Sequence, residues 1–144
     1  MINVRVYWKV FNPFYLWVRH KEMKVQDNRH RLVAEYISSC GGFVLDVGGA
    51  ERANIGLYVP NYTVTVNKRA EVKPDLVWDG CDLPFKDGSF PYVVCVAVIH
   101  QVRDKFGFFC ELMRVASERV IIYDCVSRTL MVRSARRSRA RHDT

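Results

Sequence analysis

FVLDVGGA, residues 43–50, is the stretch whose reading decides the fold. Phe43-Val44-Leu45 is a short apolar run that reads as a buried strand. Asp46 closes it, and Gly48-Gly49 follow at once. Beyond them, Glu51 to Val59 can continue as a helix. A strand running through a glycine turn into a helix is a nucleotide-binding arrangement. Glycine lets backbone approach a ligand where a Cβ would collide, and a helix N-terminus offers unpaired N–H groups. A carboxylate at the strand end suits a cation such as an ammonium. The bland alternative is a tight strand-to-helix turn with no ligand, because this is not a full G-x-G-x-x-G.

Working outward, the flanking segments repeat the same logic. Asp27 or Asn28 can cap a helix running to about Ser38, with Leu32, Val33, Tyr36 and Ile37 on one face and Gly41-Gly42 ending it. Tyr62, Val64 and Val66 alternate with Thr63 and Thr65, which predicts a second strand ending at Asn67. Leu76-Val77-Trp78 is a short third strand. Asp79-Gly80, Leu83-Pro84 and Asp87-Gly88 make residues 79–91 loop and turn. Tyr92 to Val98 is a continuous apolar run, as in a parallel strand buried on both faces. Asp104 can cap a helix carrying Phe106, Phe109 and Met113 on one stripe. Val120 to Tyr123 is a fifth strand, ending at Asp124. The order predicts an α/β domain with a mostly parallel sheet.

Composition bounds the rest. The 144 residues suffice for one domain with a real core, and 49% hydrophobic content is that of a globular protein. No apolar run reaches the ~20 residues of a membrane span, and no secretory signal is visible. Five cysteines (Cys40, Cys81, Cys95, Cys110, Cys125) are an odd, scattered set without C-x-x-C. That pattern predicts a cytoplasmic chain with free thiols and no metal site. The net charge of +7 is uneven: residues 1–24 carry +4, residues 25–124 carry −2 and residues 125–144 carry +5. Basic ends point to a polyanion or a membrane surface, or else to solvated tails. Residues 4–18, rich in aromatics, read as an N-terminal flap. Val4 to Val10 alternates like a strand, and Phe14 to Arg19 is expected to form a helical turn. A lid over substrate, or an interfacial anchor built from Trp8, Trp17 and the nearby cations, is the functional alternative for this flap. Three segments are therefore expected: an aromatic and basic flap at 1–24, an α/β domain at 25–133 and an Arg-rich mobile tail at 134–144.

Three blocks, in order, with the helix end that follows them, resemble the class I S-adenosylmethionine-dependent methyltransferases, in the branch that includes the ubiquinone and menaquinone biosynthesis enzymes. The blocks are VLDVGGA (44–50), WDGCDLPFKDGSF (78–90) and VVCVAVIHQV (93–102), and the helix end is ELMRVA (111–116). The resemblance implies a Rossmann-like sheet and S-adenosylmethionine as cofactor. It places Asp46 near the cofactor's ammonium, with Gly48 and Gly49 passing its amino-acid and ribose parts. Asn67 stands where the family has an acid gripping the ribose hydroxyls. Asp79 would accept from the adenine amino group, with the Gly80 and Cys81 backbone at the ring edge. Val96 and Ala97 would line the methionine end. His100, after the fourth strand, is the candidate for proton transfer; the alternative is a structural or cofactor-side histidine. His20, His30 and His142 have no such placement. Ser89-Phe90-Pro91-Tyr92 mimics a motif of amino-group methyltransferases, but it precedes the strand and reads as a boundary.

The departures shape the functional expectation. Ala50 replaces a usual glycine, Asn67 a usual acid and Pro91 the acid of S-F-D. The chain stops about 20 residues after the fifth strand, so the usual C-terminal hairpin is expected to be missing. A bare edge at Val120 to Tyr123 then has two covers: residues 129–132 folding back as a strand, or a second copy. The second predicts a homodimer with residues 119–132 at its interface. Three functions follow: methyl transfer to a small-molecule or lipid-like acceptor, a nucleic-acid-directed methyltransferase or binding module using the basic ends, and a non-catalytic binding protein.

Overall fold

A computed structural model describes residues 16–19, 29–37, 42–79, 82–124 and 129–134. Seven strands form one sheet: β1 (Leu16–Arg19), β2 (Phe43–Val47), β3 (Tyr62–Asn67), β4 (Leu76–Val77), β5 (Phe90–Val96), β6 (Ala116–Asp124) and β7 (Thr129–Ser134). Their spatial order is β1-β7-β6-β5-β2-β3-β4. β2, β3, β4, β5 and β6 run parallel, and β7 is antiparallel to both β6 and β1. β5 and the second half of β6, Val120 to Tyr123, are apolar without alternation because both faces are covered. Helix α2 (Lys105–Val115) lies on one face, where Phe108, Leu112 and Val115 meet Leu45, Val47, Val93 and Ile122. Helix α1 (Arg29–Ala34) lies on the other, where Val33 meets Val44, Ile55, Val94 and Ile121.

The expected edge at Val120 to Tyr123 is not bare. β7 pairs with β6 from Arg119↔Ser134 to Asp124↔Thr129. Residues 129–132 therefore fold back as a strand, and Leu130 and Met131 are buried. The homodimer expected around residues 119–132 loses its premise, an unpaired β6 edge. No two-strand hairpin follows β6 among the described residues. The outer place beside β7 is taken by β1, from the other end of the chain. This corrects the helical turn expected at 14–19: Leu16–Arg19 is a strand, and its aromatic and β-branched residues, Trp17 and Val18, suit one. The rest of the 1–24 flap, the caps Asp27 and Asn28, and the tail beyond Ser134 lie outside the described residues.

Two more differences have local causes. No helix follows the glycine turn; only a 3₁₀ turn, Ile55–Leu57, stands where Glu51 to Val59 was expected to be helical. The Asn54 side chain donates to the Ala50 and Glu51 carbonyls at 2.8 and 3.2 Å, and Ala50 and Ala53 exchange backbone hydrogen bonds. An asparagine that caps backbone locally competes with helix propagation. β5 starts at Phe90 rather than Tyr92, and its register shifts between Phe90 and Tyr92. Pro91, which has no N–H to give the ladder, accounts for the break.

Candidate functional site

Parallel strands bring their carboxyl ends to one edge, and that edge gathers most of the expected site. Val47, Val66 and Cys95 lie side by side in the register, as do Val96 and Tyr123. Gly48, Asn67, Ala97 and Asp124 therefore emerge together, where open α/β sheets bind ligands. His100 follows in a 3₁₀ turn, Ile99–Gln101.

Asp46 is 1% exposed. Its Oδ2 accepts the Ile55 N–H at 2.7 Å. Burial pushes its carboxyl from the ordinary 3.8 up to about 7, and the Ile55 hydrogen bond offsets only part of that. No salt bridge to Asp46 exists among the described residues. Its neighbour Cys95 is also buried, and desolvation with the nearby Asp46 carboxylate drives its thiol far above the usual range, so it is inert.

Gly48 is at φ +93, and a Cβ there would lie 2.1 Å from Val98 Cγ2. A Cβ on Gly49 would lie 2.8 Å from Asp46 Cγ. Both glycines are thus required by the protein's own packing. The turn's amides are also committed. Gly48 N–H donates to Val66 O, Gly49 to Asp46 O, Ala50 to Ala53 O and Glu51 to Val72 O. This overturns the expectation of a helix N-terminus with unpaired N–H groups.

Asn67 departs furthest from its expected role. Its Nδ2 donates to Gly48 O at 2.9 Å and Gly49 O at 3.2 Å. Its Oδ1 accepts the Arg69 N–H at 3.1 Å. The side chain ties down the glycine turn, a task for which a carboxylate has no donors. Asp79, just past β4, is exposed, while Gly80 and Cys81 lie outside the described residues. Val96 is buried, and Ala97 takes φ +61 while donating its N–H to Tyr123 O at 2.8 Å. Non-glycine residues held in this sparsely populated region cluster at functional sites.

His100 Nδ1 lies 3.3 Å from Asp124 Oδ1, near enough for an ion pair, yet the two are not aligned as a hydrogen bond. Asp124 was legible only as a strand end. Glu111 and Arg114 were also missed, although ELMR was part of the resemblance. Arg114 donates to Phe85 O at 2.7 Å, Leu83 O at 2.9 Å and Asp87 Oδ1 at 2.9 Å, and pairs with Glu111. Glu111 accepts the Leu83 N–H at 2.8 Å. The pair clamps the L-P-F loop onto α2; an acid and an arginine three residues apart on a helix were the available signal. Arg114→Ala is expected to lower stability by about 1–2 kcal/mol, because two loop carbonyls lose charge-assisted donors. Urea unfolding measures it.

The residues of 46–123, more than half of the chain, match the family described as methyltransferase domain. The chain belongs to that family. It is the class I S-adenosylmethionine-dependent methyltransferase fold, and S-adenosylmethionine is the family's methyl donor. Solved methyltransferase-fold structures agree. A Bacillus halodurans protein described as a methyltransferase is 17% identical with TM-score 0.56, covering 67% of this chain and 51% of that one. The YcgJ protein of Bacillus subtilis is 22% identical with TM-score 0.52, covering 65% and 48%. A Haloferax volcanii protein solved in complex with the Trm112 methyltransferase activator is 20% identical with TM-score 0.53, covering 64% and 49%. The chain thus spans about half the length of the structures it matches. No curated protein matches its sequence. No helix among the described residues is long and apolar enough to cross a membrane, and no group of metal-ligating residues is present among them.

The family's cofactor fits this methyltransferase domain at one end. Asp46 is a buried carboxylate with no cation among the described residues, which suits the ammonium of a methionine moiety. The ribose end differs, because both Asn67 donors are committed to the glycine turn.

Proposed function

We propose that this chain binds S-adenosylmethionine and transfers its methyl group to a small-molecule or lipid-like acceptor. The carrying observation is Asp46: an uncompensated buried carboxylate at the carboxyl edge, raised to about 7 by desolvation. Holding a charge without a partner costs stability, and an ammonium removes that cost. S-adenosylmethionine, when bound, supplies a methyl group already activated on a sulfonium. The chain's task is then to align acceptor and methyl. Asp46 anchors the amino-acid end, the Gly48-Gly49 turn shapes the floor, and Val96 and Ala97 border the reacting end. The likeness of the LPF and VIHQV blocks to the quinone-biosynthesis branch supports a small or lipid-like acceptor.

Thermal melting with S-adenosylmethionine and S-adenosylhomocysteine tests this. A real site gives a rise in melting temperature that grows with ligand concentration. No rise at millimolar concentration of either ligand overturns the reading. Asn67 favours one alternative, a non-catalytic binding protein, because the usual ribose grip has been turned inward. Saturable binding with no methyl transfer to any acceptor pool would select it.

A further inference from the structure

We infer that Asp124 positions His100 so that the imidazole takes the proton of a hydroxyl-bearing methyl acceptor; this rests on the methyl-transfer reading. β6 delivers Asp124 as its last residue, and the turn after β5 delivers His100. The two strands are locked in parallel register up to Val96↔Tyr123, and Ala97 N–H adds a bond to Tyr123 O. The pair is therefore set by adjacent rigid strands, at the edge where Val98 packs on Gly48.

The geometry selects one tautomer. His100 Nδ1 is buried, has no hydrogen-bond partner, and lies 3.3 Å from Asp124 Oδ1. A carboxylate accepts and does not donate, so the ring nitrogen facing it carries the proton. A small ring rotation converts the contact into a hydrogen bond and satisfies the orphaned atom. The other nitrogen then keeps its lone pair. It lies 3.5 Å from Gln101 Nε2, an amide donor that suits an acceptor there. Gln101 is exposed, and the same amide nitrogen donates to Ala97 O at 3.4 Å. A histidine with Nδ1–H on a carboxylate and a bare Nε2 is arranged as a general base.

A base is useful only for an acceptor that arrives protonated. A hydroxyl qualifies, whereas an amine lone pair or a thiolate does not need one. In the transfer, the acceptor's O–H proton passes to His100 Nε2. An oxygen lone pair forms the new C–O bond to the methyl carbon, and the electron pair of the breaking C–S bond stays on sulfur. The products are a methyl ether, a neutral thioether and an imidazolium facing the Asp124 carboxylate. Both positive charge and proton are accounted for, and no oxidant or metal is required.

Three measurements on the full chain test this. Long-range proton–nitrogen NMR at a pH where the ring is neutral, assigned with His100→Gln, is expected to show the proton on Nδ1. Asp124→Asn is expected to shift it toward Nε2, and Asp124→Glu to restore it. A wild-type proton on Nε2, or no change in Asp124→Asn, overturns the inference. Titration with S-adenosylhomocysteine is expected to give affinities within about twofold in wild type, His100→Gln and Asp124→Asn, since neither residue anchors the cofactor. A large loss in Asp124→Asn makes it a cofactor residue and overturns the positioning role. No binding by wild type defeats the methyl-transfer reading itself, leaving the tautomer result to be judged alone. With labelled S-adenosylmethionine and a panel of phenols and primary alcohols, wild type is expected to yield labelled ether. His100→Gln is expected to lower that rate on the order of 100-fold and Asp124→Asn about tenfold. No labelled ether from wild type overturns the proton-acceptor role.

Discussion

Asp46→Asn is expected to abolish S-adenosylmethionine binding while making the free protein more stable at about pH 8. The two effects share one cause. Burial raises the Asp46 carboxyl from 3.8 to about 7 in the folded chain. In the unfolded chain the group ionises at its ordinary value. Between about pH 4 and pH 7 the folded state therefore binds the extra proton, and stability falls as pH rises through that window. Below it both states are protonated and nothing is lost. Above it the full cost of a buried charge is present, roughly 4 kcal/mol as an upper bound for a shift of about three units. Asparagine keeps an oxygen for the Ile55 N–H and carries no charge, so this slope disappears, at a cost of about 1–3 kcal/mol for its new amide donors. Chemical denaturation from pH 4 to pH 8 reads the difference between the two proteins. A constant difference across that range would sink the assignment. Binding gives an independent check. An ammonium beside Asp46 favours its ionised form, so near pH 6 wild-type binding releases a proton. Calorimetry in two buffers of different ionisation heat detects it, and equal heats argue against an ammonium at Asp46.

Those properties were partly legible in the residues themselves. Phe43 to Leu45 and Tyr92 to Val96 are apolar without alternation, so parallel strands covered on both faces were readable from them. Asp104 announced α2, and its side chain does accept the Gly107 N–H at 2.8 Å. The glycine turn placed Asp46 at the right edge. What was not legible depends on contacts across the fold. Nothing local says that Asn54 folds back on Ala50 and Glu51 and stops a helix. Nothing near Leu16–Arg19 says that its partner is Thr129–Ser134, more than a hundred residues away. The same holds for His100 and Asp124, which belong to different connections and meet only because β5 and β6 pair in register. Strand ends are visible in sequence; what stands beside them is set by sheet order.

Asn67→Asp, the substitution that restores the family's usual acid, is expected to weaken the protein by about 3 kcal/mol and to leave cofactor affinity no better. The amide gives two hydrogens to Gly48 O and Gly49 O and receives one from Arg69 N. A carboxylate keeps the last of these and loses the first two. It also sets negative charge against two carbonyl oxygens, which amide hydrogens now hold together. Each unpaired, part-buried acceptor costs about 1–3 kcal/mol, and the repulsion adds to that. Asn67→Ala separates the contributions, because it removes the donors without adding charge; its loss is expected to be smaller than that of Asn67→Asp at neutral pH. Acid should narrow the gap, since a protonated carboxyl regains one O–H donor. Urea titrations at pH 7 and near pH 3.5 compare the three proteins. The affinity claim follows from the same contacts. If Asn67 were a weakened ribose ligand, aspartate would tighten S-adenosylmethionine binding through a charge-assisted hydrogen bond. If it is the lock of the glycine turn, aspartate loosens the floor on which the cofactor rests. Tighter binding by Asn67→Asp at unchanged stability would assign Asn67 to the ribose after all.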